Sequence, residues 1–223
     1  MSDDNLPPEP RPDREPFFNP KAFEAAPVVA LMVAMIAIHL WISYADIRTA
    51  NGIYGSYAFV ATEFWRGESL YTAISYAMLH GSWMHLGFNI VAFFALGSAC
   101  WKLMGTGRFF VFFALTALAG AVLFAIIRPG ENTVLVGVSG VIFGLIAAIK
   151  RVDYRIRALR GQDVRLAILR FIGIIIAVNL VLGFVPIEDG GGFAGESVAW
   201  EAHIGGFLLG WIVTPWLVRF WPQ

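Results

Sequence analysis

The chain has 223 residues, of which 58% are hydrophobic and only 14% charged. A soluble core cannot hide that much apolar surface, so a membrane protein is the expected class. Sixteen basic and sixteen acidic residues cancel, which leaves none of the electrostatic footprint of a nucleic-acid binder. One cysteine, Cys100, cannot form an internal disulfide, and beside four histidines (His39, His80, His85, His203) it cannot build a thiolate-rich structural metal site. No cofactor or metal is expected.

Residues 1–26 are acidic and Pro-rich, too polar for a cleavable signal peptide and too acidic for a transit peptide, and read as a disordered tail. Residues 27–221 form the expected membrane domain. Its apolar sequence falls into six blocks: Pro27 to Ala45, Trp83 to Trp101, Phe109 to Ile127, Val134 to Ile149, Ile168 to Val185 and His203 to Val218. At ~1.5 Å rise per residue such blocks cover most or all of a hydrocarbon core of about 30 Å, and they are too long and too continuously apolar for barrel strands. The expected fold is all-α, a polytopic bundle of six transmembrane helices.

Basic residues orient it. Thirteen of the sixteen lie in the tail, the turn after block two, the stretch Lys150 to Arg170 and the C-terminus, whereas the opposite side holds Arg48, Arg66 and Arg128. The bias places both termini in the cytoplasm. With no transit peptide and a minimal six-span design, a multi-pass protein of a bacterial inner membrane is expected. The connection Asp46 to Ser82 is long and carries aromatic residues throughout, as an amphipathic or re-entrant segment in the outer interface would; a small folded cap is the alternative.

Polar groups inside spans are functional candidates by default. Blocks two, four and six enter from the outer side, and their polar residues gather at that end: His80, His85 and Asn89, then Ser139, then His203. Ser139 lies in Gly137-Val138-Ser139-Gly140, which alone reads more readily as close helix packing. The small-x-x-x-small pairs Gly140/Gly144 and Gly206/Gly210 would join helices four and six and bring Ser139 and His203 to one end of the joint. There a neutral imidazole could take the serine proton. His85 and Asn89, four residues apart, share a helical face. They could donate to a developing oxyanion beside the Ser139 N–H, or simply clamp helices together. His80 is expected to orient the first connection, and His39 to be structural or cavity-lining. The Gly-rich connection Asp189 to Gly195 would cover the site.

These residues resemble the rhomboid family of intramembrane serine proteases, through H-x4-H-x3-N at His80, His85 and Asn89, G-x-S-G around Ser139, and A-H-x-x-G-x-x-x-G from Ala202 to Gly210. The resemblance covers blocks two to six. It implies a Ser–His dyad of Ser139 and His203, an oxyanion site from His85 and Asn89, and cleavage of transmembrane segments of single-span or polytopic membrane proteins within the lipid bilayer. It also implies that Phe143, one turn after the serine, stacks on the histidine. Two positions depart from the family pattern: Leu70-Tyr71-Thr72 stands where the Trp-Arg pair belongs, Trp65-Arg66 being displaced, and Trp101 replaces a glutamate between Gly97 and Gly105.

Rival intramembrane hydrolases need His-Glu-x-x-His or paired aspartates within the membrane, and neither pattern is present. Lys150, eleven residues past Ser139 on one helix, cannot serve it as a base. The alternative from another class is a catalytically inactive rhomboid-like binder of client transmembrane helices, although both dyad residues are retained; a transporter or channel is a third.

Overall fold

A computed structural model describes residues 25–130, 132–184, 199–219 and 221, without the side chains of 181–184. The tail through residue 24 and the connection Asp189 to Gly195 lie outside the described residues. Among the described residues, six long helices overlap the six apolar blocks: α1 (Ala26–Tyr44), α5 (Trp83–Met104), α6 (Thr106–Ile127), α7 (Ser139–Leu159), α8 (Arg165–Phe184) and α9 (Trp200–Leu217). By length and composition α1, α5 and α6 are each long and apolar enough to cross a bilayer. The outward faces carry an apolar belt that includes Val33, Trp41, Phe88, Val91, Ile126, Leu169, Ile174 and Trp216, a surface that suits lipid and not water.

The first connection is folded. Asp46 caps α2 (Ile47–Tyr57), its carboxylate accepting from the Arg48 and Thr49 N–H groups, which satisfies donors that a helix start leaves free. The short helices α3 (Ala61–Trp65) and α4 (Thr72–Ser75) and a 3-10 turn at Tyr76–Met78 follow. The Trp65 indole ties this cap to the bundle by donating to the Ala125 carbonyl on α6 (3.0 Å), and the Tyr54 hydroxyl closes it on itself by donating to the His80 carbonyl (2.7 Å). Within the cap, the Tyr71 hydroxyl donates to the Ser56 carbonyl (2.8 Å).

Block four divides. Val134 and Leu135 form a two-residue strand, β2, paired antiparallel with β1 (Phe59–Val60) of the cap; the helix starts at Ser139 and runs to Leu159, well beyond Ile149. Extended backbone before the serine is stabilised by that pairing, which apolar content could not reveal.

α9 lies against both α6 and α7, α5 bridges α1 and α7, and α8 touches α9. The core between them is aromatic, with Phe93, Phe109, Phe112, Phe124 and Tyr76 essentially unexposed. At the far end of α5, Gly105 takes φ 78, which glycine adopts without steric cost, and its missing side chain leaves room for the Arg219 guanidinium. Trp101 closes the same corner by donating its indole N–H to the Thr106 hydroxyl (3.1 Å).

Candidate active site

Three helices start on one side of the bundle, and the polar residues sit at those starts. Ser139 opens α7, His203 lies in the first turn of α9 and His85 in the first turn of α5. The Ser82 hydroxyl caps α5 by accepting from the His85 N–H (3.2 Å). Being first in its helix, Ser139 has an N–H with no acceptor in that helix, beside the positive end of the dipole.

The turn delivering Ser139 is held from the cap. Gly137 takes φ 110, a conformation that side chains resist, and its N–H donates to the Tyr76 carbonyl (3.1 Å). Tyr76 is itself pinned, its hydroxyl donating to the Ala117 carbonyl of α6 (2.9 Å). Glycine is required at 137 for a second reason, since a Cβ there would lie 2.8 Å from the His85 ring and 3.8 Å from Asn89 Nδ2. His85 and Asn89 thus face the turn that leads into Ser139.

His203 comes to Ser139 because α7 and α9 touch backbone to backbone. Gly206 abuts the Gly140 carbonyl, and a Cβ on Gly210 would stand 2.6 Å from the Gly144 oxygen; such contacts need small residues on both helices. The result is a distance of 2.9 Å between His203 Nε2 and Ser139 Oγ. Phe143 stacks on the imidazole, with centroids 4.3 Å apart and planes 8° from parallel. His203 is 3% exposed, whereas Ser139 is only partly covered and so remains reachable.

Asn89 is buried, and its Nδ2 has no hydrogen-bond partner among the described residues, a donor that is costly to bury and ready to be used. His80 lies just before α5, fully buried, with its ring edge-on to His85 at 5.2 Å. Burial, reinforced by the neighbouring His85 and His39, pushes its imidazole down to about 3, so it packs as a neutral ring. His39 on α1 sets its ring edge-on to Trp83 at 4.5 Å, beside the first turn of α5.

Motif reading passes over one residue. Asn179 of α8 is buried, and its Oδ1 lies 2.9 Å from His203 Nδ1. The available signal is that Asn179, apart from Arg170, is the only polar side chain in block five, an exception that calls for a partner in an apolar helix. An ion pair near the site is equally invisible in local spacing: the Arg128 guanidinium, after α6, donates to the Glu201 carboxylate in the first turn of α9 (2.6 Å). Glu201 itself is 1% exposed.

The family model for the Rhomboid domain matches residues 62–220. The chain is similar to Rhomboid protease GluP of Bacillus subtilis, 31% identical over 154 residues that make up 68% of this chain and 26% of that protein. It is 25% identical to Rhomboid protease GlpG of Photorhabdus laumondii over 201 residues, 86% of this chain and 62% of that one. RHOMBOID-like protein 5 of Arabidopsis thaliana is 28% identical over 140 residues, 63% and 41% of the two chains. The chain spans less than two thirds of the length of each of these relatives. A family model covering well over half of the chain, on a bundle of apolar helices, makes this an integral membrane protein of the rhomboid family.

Proposed function

We propose that the chain is an active intramembrane serine endopeptidase that cleaves transmembrane segments of other membrane proteins. The observation that carries this reading is the 2.9 Å approach of His203 Nε2 to Ser139 Oγ, within the range in which a general base takes a proton. Ser139 Oγ attacks the scissile carbonyl carbon as its proton passes to Nε2. The oxyanion that forms is received by the Ser139 N–H and by the Asn89 and His85 side chains, donors that are already oriented and so need no reorganisation. The proton on Nε2 then goes to the leaving amine, and water completes hydrolysis of the acyl-enzyme.

Two features support this over an inactive helix binder. Both dyad residues are retained, and the buried Asn89 amide is better accounted for by an oxyanion than by a helix clamp, since its Nδ2 bonds nothing among the described residues. We further propose six spans with both termini cytoplasmic, on the basis of the basic-residue asymmetry; substrates are other proteins' membrane segments reaching the site from the bilayer. Incubating detergent-solubilised protein with a single-span membrane substrate, with Ser139→Ala alongside, tests the function. A discrete product from the parent alone is expected; no product from either, with substrate retained in pull-down, would leave the binder.

A further inference from the structure

Asn179 takes no part in the chemistry above, yet both ends of its amide are committed. Its Nδ2 donates to the Ile175 carbonyl one turn back (2.8 Å), and Oδ1 lies 2.9 Å from His203 Nδ1. The first bond dictates the second. With the amide turned over, Oδ1 would oppose the Ile175 carbonyl, acceptor against acceptor. With Oδ1 toward the imidazole, Nδ1 must carry the hydrogen. In a neutral ring the lone pair is then on Nε2, the atom 2.9 Å from Ser139 Oγ.

We infer that Asn179 is a positioning residue for His203, holding the ring in the Nδ1–H form so that Nε2 faces Ser139 as a proton acceptor. Its consequence for turnover rests on the protease reading above; its hold on the ring does not. Through the reaction the Nδ1–H bond to Asn179 persists. Nε2 gains the Ser139 proton as the Oγ–carbon bond forms, and the resulting imidazolium keeps its acceptor at Nδ1. Nε2 then releases that proton to the amine as the carbon–nitrogen bond breaks, and the ring returns to the Nδ1–H form. Phe143 cannot do the same work, because a stacked ring constrains the plane of the imidazole and not which nitrogen holds the hydrogen. Asn179 stands to His203 as an orienting group stands to the base in other serine hydrolases, but as a neutral amide, which avoids placing a charge in an apolar helix.

The test uses the full chain in detergent, with Asn179→Leu, which keeps the volume and removes the acceptor, and Asn179→Asp, which keeps an acceptor in place. Nitrogen-15 spectra of ring-labelled histidine, with His203 assigned by difference from His203→Ala, report the tautomer without any turnover. In the parent, His203 is expected as the Nδ1–H form; in Asn179→Leu the Nε2–H form should appear. Turnover of a single-span substrate should fall by about 10-fold at least, and by no more than about 10⁴-fold, in Asn179→Leu with KM little changed, since a ring in the Nε2–H form cannot accept the Ser139 proton, and Asn179→Asp should recover most of it. An unchanged tautomer in Asn179→Leu overturns the inference, as does a changed tautomer with full turnover. A parent that cleaves nothing while its tautomer still depends on Asn179 overturns the protease reading and leaves the assignment to His203 standing.

Discussion

The Gly140 carbonyl occupies the space that a side chain at Gly206 would need. That contact, with the one between Gly210 and Gly144, sets how close α9 comes to α7, and with it the distance from His203, three residues before Gly206, to Ser139, one residue before Gly140. Gly206→Ala should therefore act twice. Overpacking against backbone should cost about 1–3 kcal/mol, seen as a lower melting temperature, and the displaced α9 should carry His203 out of reach of Ser139. Activity lost well beyond the fraction unfolded is the expected result; a stable, fully active Gly206→Ala protein would show that the crossing can relax without moving the dyad.

Ser139→Ala, His203→Ala and the double variant should lose about the same activity, because residues acting as one unit do not compound when removed. A fluorophosphonate should label Ser139 in the parent and fail to label it in His203→Ala. Mass spectrometry of the adduct gives the site directly, and labelling at another serine would undo the assignment.

Asn89→Ala should lower turnover by up to about 10²–10³-fold with little effect on substrate binding, the cost of removing one oxyanion donor. Adding His85→Ala should bring the loss near that of Ser139→Ala. Melting temperatures separate this from a helix clamp, for which the loss of stability would account for the loss of activity.

The buried Glu201 carboxylate has its 2.6 Å partner in Arg128. Arg128→Ala should destabilise the protein by about 3 kcal/mol by leaving a buried charge uncompensated. Glu201→Gln added to it should recover most of that loss, since an amide leaves no charge behind. Thermal unfolding of the two single variants and the double forms the cycle, and simple additivity would mean that the pair is not coupled.

Cys100 is completely buried, with its Sγ 3.6 Å from the Leu145 carbonyl, so it should resist thiol reagents from either side of the membrane and cannot report sidedness. In a Cys100→Ser background, a cysteine at the exposed Gln162, in the turn between α7 and α8, should stay unlabelled by an impermeant reagent outside intact cells, while one at the exposed Glu68 should react. Equal labelling of both would contradict the orientation drawn from the basic residues.

Apolar block length locates all six long helices to within a few residues at most ends, because partition into lipid depends on local composition. Among the described residues, α1, α5 and α6 have the length and composition of a bilayer-crossing helix. α9 falls short because it carries Glu201, His203 and its glycines, and α7 because it carries Ser139 and Gly140 at one end and Lys150 onward at the other: the residues that dilute hydropathy are those of the site and of the basic connection. Motif spacing nominates Ser139, His203, His85 and Asn89, since a helical repeat tells which residues share a face.

Which faces meet, and at what distance, is decided by packing across the chain. The hydrogen bond of Asn179 to His203 joins α8 to α9 through the rotation of each helix about its axis, and neither rotation is set by local composition. The short strand at Val134–Leu135 is extended because Phe59–Val60 supplies its partners, from a connection whose own fold depends on Tyr54, Tyr71 and Tyr76 reaching carbonyls far along the chain. Backbone groups in an apolar setting must find partners wherever these lie. The pairings that hold Gly137, and therefore Ser139, in place arise only once the cap and α6 have come together.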